Sequence, residues 1–493
     1  MDFDVTHLIR ETWSKIGLLP WHWIAPGIHI TLATIATVHA MLFKRDPRAA
    51  LGWVTVSLFI PFAGPILYYM FGINRIHTHA RMLANRSFKI RVGFERGHLK
   101  NKTNNLISQE HDPAAQKFIR VSDNVTYRPL VPGNSINMLV NGEQAYPAML
   151  EAINNAVDHI FLATYLLESD HIGEAFLGAL ASAHRRGVNV RIILDGIGAL
   201  YSWPRMSQKL RKAGVRVELF LPPKLLPPTF SVNLRNHRKI LVIDNKLGFT
   251  GGMNIGARHL VDPIGGYGTV DLHFRFQGPV VSQLSDIFTE DWRFVTGEDI
   301  NVAGVPQVQA GEAYCRCVSD GPNDDLDKIS LVLMGCISAA QHQITIITPY
   351  FLPSREMIAS LQSAVLRGVD VAIILPIKSN LRFIDWATRN MLWELLQYEI
   401  KVYYQALPFA HTKLFIVDEI VAHIGSANFD PRSFRLNFEL NVEVIDTHNI
   451  MQLVKYAEAI RHQSTEITLK EVDERSIPTR LRDSFFWLFM PYL

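Results

Sequence analysis

Two uninterrupted apolar stretches open the chain, and a repeating alternation of strand-like and helix-like patterns takes over beyond about Asn134. Trp21 to Phe43 and Ala49 to Gly72 contain no Asp, Glu, Lys or Arg. As helices, both are long enough to cross the roughly 30 Å hydrocarbon core of a bilayer. KRDPR separates them, with Pro47 as a turn signal, so the pattern predicts a transmembrane helical hairpin. His22, His29 and His39 dilute the first stretch. Asp2 and Asp4 stand where a cleaved signal peptide would be basic.

From Asn134 onward the sequence runs through the same order of elements twice. HIFLATYLL reads as a strand, IGEAFLGALASAHRRG as a helix and VNVRIILD as a strand, followed by a helix around MSQKLRKAG and the strand VRVELFL. QITIITPYFL, SREMIASLQSAVLRG, VDVAIILP, a helix around WATRNMLWELLQYE and IKVYY repeat that order. Alternating strands and helices predict an α/β fold, with mainly parallel strands covered by helices. The expected organisation is a membrane anchor with two transmembrane helices over 1–75 and a basic juxtamembrane linker over 76–133. A first lobe over 134–296, a linker over 297–313 and a second lobe over 314–493 with an apolar C-terminal segment complete it.

Charge adds orientation but names no partner. The 493 residues carry a formal net charge of +3, short of the basic bias of a nucleic-acid enzyme. Arg75, Arg81, Arg86, Lys89, Arg91, Arg96 and Lys100 follow the second apolar stretch against the single acid Glu95, and only Lys44, Arg45 and Arg48 lie in the hairpin loop. Basic flanks stay on the cytoplasmic side, so the body is expected there, with the basic stretch against anionic headgroups. Cys315, Cys317 and Cys336 form no paired CxxC and read as free thiols.

Each copy then reaches a segment of conserved spacing between the two halves, NHRKILVIDNKLGFTGGMN and AHTKLFIVDEIVAHIGSAN. His237, Lys239, Asp244, Gly251, Asn254 and Arg258 each precede His411, Lys413, Asp418, Gly425, Asn428 and Arg432 by 174 positions. Residues two apart on a strand share a face, so each histidine should share one with its lysine. Two imidazoles around one cleft can divide the work of nucleophile and general acid at phosphorus. Lys239, Lys413, Asn254 and Asn428 can grip the non-bridging oxygens. The donor set suits no zinc site, and neither metal nor cofactor is expected. Asp244 and Asp418 lie seven residues beyond their histidines, which turns them to the other face and favours a strand-end role as much as a catalytic one. Asp271 in DLHFRF and Glu439 in ELNVEV occupy matching places and are the candidates to fix the imidazole tautomers.

These doubled His-x-Lys-x4-Asp-x6-Gly-(Gly/Ser)-x-Asn motifs resemble those of the phospholipase D superfamily. Within it, RDPRAALGWV, NGEQAYPAMLEAI, FQGPVV, TPYFLP and GSANFDPRSF make the whole chain similar to the bacterial cardiolipin synthases. The resemblance implies two similar α/β lobes, duplicated mixed sheets flanked by helices and related by a pseudo-twofold, meeting at a shared site. It implies a phosphohistidine intermediate and a reversible transfer that turns two phosphatidylglycerols into cardiolipin and glycerol. The motif triplets His237/Lys239/Asp244 and His411/Lys413/Asp418 then form the catalytic set, with His237 as nucleophile. One departure is Gly252 where the second copy has Ser426, a hydroxyl expected to contact phosphate. The implied partners are phosphatidylglycerol and the bacterial inner membrane rather than nucleic acid. A hydrolytic phospholipase D with water as acceptor is the alternative. LPPKLLPPTF and the C-terminal FFWLFMPYL either guide lipid or pack between the lobes.

Overall fold

The computed structural model describes residues 21–44, 47–72, 113–223, 234–261, 267–301, 308–321 and 325–490. The basic stretch Arg75 to Lys100 and most of LPPKLLPPTF lie outside them. The chain divides into two compact units, 1–79 and 80–493.

In the first unit a helix spans Trp21–Phe43, and Trp23–Phe43 is long and apolar enough to cross a membrane. Ile30, Ile35, Met41 and Leu42 are exposed on it, as side chains meeting lipid should be. The second apolar stretch is not the single helix expected. A helix of 13 residues, Pro47–Phe59, rises only about 20 Å before the chain breaks, and short turns cover Ala63–Leu67 and Tyr68–Gly72. Pro61 lacks an amide hydrogen to continue the ladder, and Phe62 takes a positive φ of 58°. Trp53 and Tyr68 then pack against Ala36 and Ala40 of the long helix.

Among the described residues, the second unit is built on 16 strands in one mixed sheet, with a small parallel pair beside it. Its first half contains β1 (Val131–Val140), β2 (His159–Thr164), β3 (Asn189–Asp195), β4 (Arg216–Phe220), β5 (Arg235–Asn236), β6 (Ile240–Ile243), β7 (Leu247–Gly251), β8 (Thr269–Val270) and β9 (Leu272–Gln277). The second half contains β10 (Ala313–Asp320), β11 (Gln343–Ile347), β12 (Asp370–Pro376), β13 (Lys401–Gln405), β14 (Phe409–Ala410), β15 (Leu414–Val417), β16 (Val421–Gly425), β17 (Asn437–Ile445) and β18 (Thr465–Ile467). The path β1-β9-β7-β6-β2-β3-β4 in one lobe is matched by β10-β17-β16-β15-β11-β12-β13 in the other, and β1 pairs antiparallel with β10 at the join. The duplication is therefore one continuous sheet with a pseudo-twofold at its centre. Among the described residues the parallel pairings of this sheet are β2-β3-β4, β11-β12-β13 and the short β5-β17 pair, so the sheet is less parallel than the alternating pattern suggested.

Helices cover both faces. Val280–Thr296 and Thr447–His462 follow β9 and β17. They share one core with strands from both lobes, in which Phe276, Phe288, Trp292, Leu440 and Val442 are fully enclosed. Each such side chain contributes about 1.5–3 kcal/mol through burial, so the lobes are not separable bodies. Gly297 ends the first of these helices in a left-handed conformation (φ 76°), where the interlobe connection begins. The opposite faces have separate cores, one per lobe. The expected juxtamembrane linker is not wholly a linker: Pro113–Val125 is a helix whose Phe118 and Ile119 are buried in the second-lobe core. At the other end, helix Ile477–Trp487 packs Phe486 and Trp487 on that core, while Phe485, Leu488 and Phe489 stay exposed.

Candidate active site at the junction of the lobes

The segments carrying the two motif histidines precede their strands and cross to the other lobe. β5 pairs with β17, and the His237 amide donates to the Phe438 carbonyl (2.9 Å). β14 pairs with β8, and the His411 amide donates to the Val270 carbonyl (2.7 Å). The next residue on each receiving strand is a carboxylate. His237 Nδ1 lies 3.0 Å from both Glu439 oxygens, and His411 Nδ1 lies 2.8 Å from Asp271 Oδ2. Each imidazole is thus held by the opposite lobe. A hydrogen on Nδ1 facing a carboxylate leaves Nε2 with its lone pair for chemistry.

His and Lys do share a side, though by a different route from strand alternation. Lys239 Nζ folds back to the His237 carbonyl (2.6 Å), and Lys413 Nζ reaches both the His411 carbonyl and His411 Nδ1 (2.8 Å). Burial lowers Lys239 to about 7 and Lys413 to about 8, even with Glu439 and Asp271 opposing. Burial also lowers His237, and pushes His411 well below its usual range with help from Lys413, Lys239 and His237. These mutual influences across the lobes define a single site, rich in potential positive charge.

That electrostatic state has a measurable consequence. The lysines are charged below about 7 and about 8 and lose their protons as pH rises. At limiting lipid, kcat/KM is therefore expected to fall between pH 7 and 9. The fall in kcat should come at higher pH, because a bound phosphate anion favours the ammonium forms. A kcat/KM profile flat to pH 9 would remove the lysines from phosphate binding.

The two carboxylates are not equivalent. Glu439 accepts from His237, Ser426 Oγ and Asn437 Nδ2. Burial pushes it up, but His237, Lys239 and Ser426 together bring it below the usual range. Asp271 accepts from the Leu272 amide (2.8 Å) and is raised by burial, with Lys413 opposing. This difference explains the Gly/Ser departure. A Cβ on Gly252 would lie 2.3 Å from Asp271 Oδ1, whereas Ser426 has room to hydrogen-bond Glu439. Ser426 was expected on phosphate; its hydroxyl instead donates to the carboxylate and, in turn, accepts the Leu440 amide (3.0 Å).

Asp244 and Asp418, expected within the catalytic triplets, belong to the scaffold. Both begin tight turns with two consecutive positive φ values, 52° and 51° at Asp244–Asn245 and 53° and 57° at Asp418–Glu419. Such hairpin turns favour Asp and Asn. The Asp244 carboxylate accepts the amides of Val157, Asp158 and His159; that of Asp418 accepts those of Gln341, His342 and Gln343. They fix the entries to β2 and β11. Asp418→Ala would leave three part-buried backbone amides without their acceptor and is expected to lower stability by about 2–3 kcal/mol, with Asn costing less. Thermal unfolding measures this, and activity per folded molecule should be nearly unchanged.

Asn254 and Asn428 follow β7 and β16, and the Oδ1 of each is buried without a hydrogen-bond partner. Their backbone amides are capped by His259 Nε2 (3.3 Å) and Ser433 Oγ (3.2 Å). Sequence reasoning missed His259, although it stands 174 positions before Ser433. It is a third, buried imidazole, its ring 6.3 Å from that of His411 and its pKa lowered to about 3 by burial. Also missed were Tyr165 and Tyr350, which meet the rings of His237 and His411 edge-on at 5.7 and 6.3 Å. Among the described residues no cluster of three or more His, Cys, Asp or Glu is placed to hold a metal.

Residues 149–292 and 333–461 match the family described as cardiolipin synthase, phospholipase D-like domain, and residues 31–72 match the phospholipase D-nuclease N-terminal family. The major cardiolipin synthase ClsA of Bacillus subtilis is 32% identical over 482 residues, 94% of this chain and 97% of its own length. Cardiolipin synthase A of Pseudomonas aeruginosa is 32% identical over 455 residues, 92% of this chain and 91% of its own. The crystal structure of phosphatidylserine synthase from Haemophilus influenzae superposes with a TM-score of 0.56 at 14% identity, covering 76% of this chain and all of that one. That likeness is one of fold.

Proposed function

The chain belongs to the cardiolipin synthases of the phospholipase D superfamily, and from that premise we propose that it transfers a phosphatidyl group between two phosphatidylglycerols through His237. The phosphodiester anion, set among the lysines, offsets their repulsion and lets His411 take up a proton from solvent; the Nε2 of His237 then attacks phosphorus, and His411 donates that proton to the departing glycerol oxygen. Lys239, Lys413, Asn254 and Asn428 carry the non-bridging oxygens while charge shifts. Glycerol leaves, and the headgroup hydroxyl of a second phosphatidylglycerol takes its place. His411, now neutral, accepts that hydroxyl's proton as the oxygen attacks the phosphohistidine, releasing cardiolipin and restoring His237.

The crossed pairing of each imidazole with a carboxylate of the other lobe carries this reading most directly. The choice of His237 as nucleophile is supported by Glu439. Held ionised by His237, Lys239 and Ser426 against the cost of burial, it can stabilise the positive ring that forms during attack. Asp271, raised by burial, suits the partner of the group that gives and regains a proton.

The apolar helix Trp23–Phe43 makes the protein membrane-associated. We place the body on the cytoplasmic side, with Pro47–Gly72 returning within the membrane. The basic residues from Arg75 to Lys100 support this. The test of function is product analysis with glycerol-labelled phosphatidylglycerol in vesicles. Cardiolipin and free labelled glycerol in equal amounts are expected, with phosphatidic acid minor. Dominant phosphatidic acid would make the protein a hydrolase.

A further inference from the structure

Large apolar side chains stand exposed around both histidine segments, at the end of the sheet where the parallel strands finish. β3 ends at Asp195, whose carboxylate accepts the Asn236 amide (3.0 Å) just before His237. The loop leaving Asp195 carries Tyr201 and Trp203, the latter 86% exposed. On the other side, β8 and β14 pair in parallel with Thr269 opposite Phe409. Tyr267 and Leu407, each two residues upstream of that pair, are 76% and 57% exposed. Ile377, also exposed, donates its amide to the Gln405 carbonyl (2.9 Å) beside them. Exposed Arg205 follows Trp203 by two residues, and exposed Lys378 follows Ile377.

Soluble surfaces rarely gather aromatic and aliphatic side chains in this way unless they meet a partner. Trp and Tyr with basic residues among them suit the boundary between headgroups and acyl chains, and Arg205 and Lys378 suit an anionic surface. Phosphatidylglycerol and cardiolipin, the substrate and product under the function proposed above, are both anionic. Resting on that reading, we propose that Tyr201, Trp203, Tyr267, Ile377 and Leu407 form a membrane-docking rim that seats the mouth of the active site in an anionic bilayer. A phosphodiester then reaches His237 while its acyl chains remain in hydrocarbon. Covering the mouth with lipid also limits water, which favours an alcohol acceptor over hydrolysis.

Cys315, Cys317 and Cys336 are all buried, so a cysteine introduced at the rim can be labelled selectively. The full chain, with a spin label at Trp203→Cys or Leu407→Cys, is placed in nanodiscs containing phosphatidylglycerol. Val157→Cys is the control; Val157 is 75% exposed at the start of β2, the opposite end of the sheet. Labels at 203 and 407 should be open to oxygen and closed to a water-soluble nickel chelate, and the label at 157 the reverse. Equal nickel access at all three sites would overturn the proposal. So would protection at 203 accompanied by spin–spin broadening between copies, which would mean a second molecule covers the rim. Trp203→Asp with Leu407→Asp should lower cardiolipin formation on phosphatidylglycerol vesicles about tenfold or more, leaving turnover of a soluble short-chain phosphatidylglycerol unchanged. Unchanged vesicle activity would also overturn the rim. Absence of cardiolipin from the unaltered protein would instead fault the function.

Discussion

Asparagine at His237 or at His411 is expected to reduce cardiolipin formation by at least about ten-thousandfold, and the double substitution should be little worse than either alone. Groups that act as one unit lose most of their effect when one member goes. Asparagine keeps a side-chain amide near the Nδ1 position, so Glu439 and Asp271 need not be left buried without a partner, and both variants should fold. Their defects should differ in kind. A phosphatidyl donor with a nitrophenol leaving group needs no general acid for departure. His411→Asn should therefore release nitrophenol from it in a rapid burst, whereas His237→Asn should release none. A burst from His237→Asn and none from His411→Asn would exchange the two roles. Near-normal turnover in either variant would refute a site shared by both lobes.

Neutralising the orienting carboxylates is the next largest effect. Asp271→Asn and Glu439→Gln remove the acceptors that hold His411 and His237 in the Nδ1–H form. In a triad enzyme the comparable change lowers kcat about ten-thousandfold, and a loss approaching that size is expected here in kcat. KM should move little, because the lysines and asparagines that grip phosphate remain. Each carboxylate belongs to the lobe opposite its histidine, so the loss is also a functional readout of the crossing. Unchanged kcat in both variants would leave the carboxylates a purely architectural role.

How far these features could be read from the sequence depends on the length scale of the physics behind them. The repeat of His, Lys, Asp, Gly, Asn and Arg at a fixed separation is local, and it marked the histidine segments without any structure. Asp271 and Glu439 were picked out by their matching positions. Which histidine each would meet was not legible, because that depends on β5 joining β17 and β8 joining β14 across the lobes. Alternation along a strand placed Asp244 and Asp418 off the catalytic face. That they accept the amides at the starts of β2 and β11 depends on chain segments 75 or more residues away. Ser426 misled because motif position cannot reveal that a longer carboxylate, Glu439, would reach it. Hydropathy alone counted Ala49 to Gly72 as one span; it does not register that Pro61 withdraws a backbone donor. Helix Pro113–Val125 was read as linker because its apolar face matters only once the second lobe is there to bury it.

The covalent intermediate is the claim on which the other assignments turn, and the stereochemistry at phosphorus tests it most directly. Phosphatidylglycerol carrying one sulfur in place of a non-bridging oxygen, as a single diastereomer, is converted to the corresponding cardiolipin and its configuration determined. Attack by His237 followed by attack of the lipid hydroxyl makes two in-line displacements, each inverting, so net retention is predicted. Net inversion would mean that the second lipid attacks phosphorus directly, and a phosphohistidine at His237 would be contradicted.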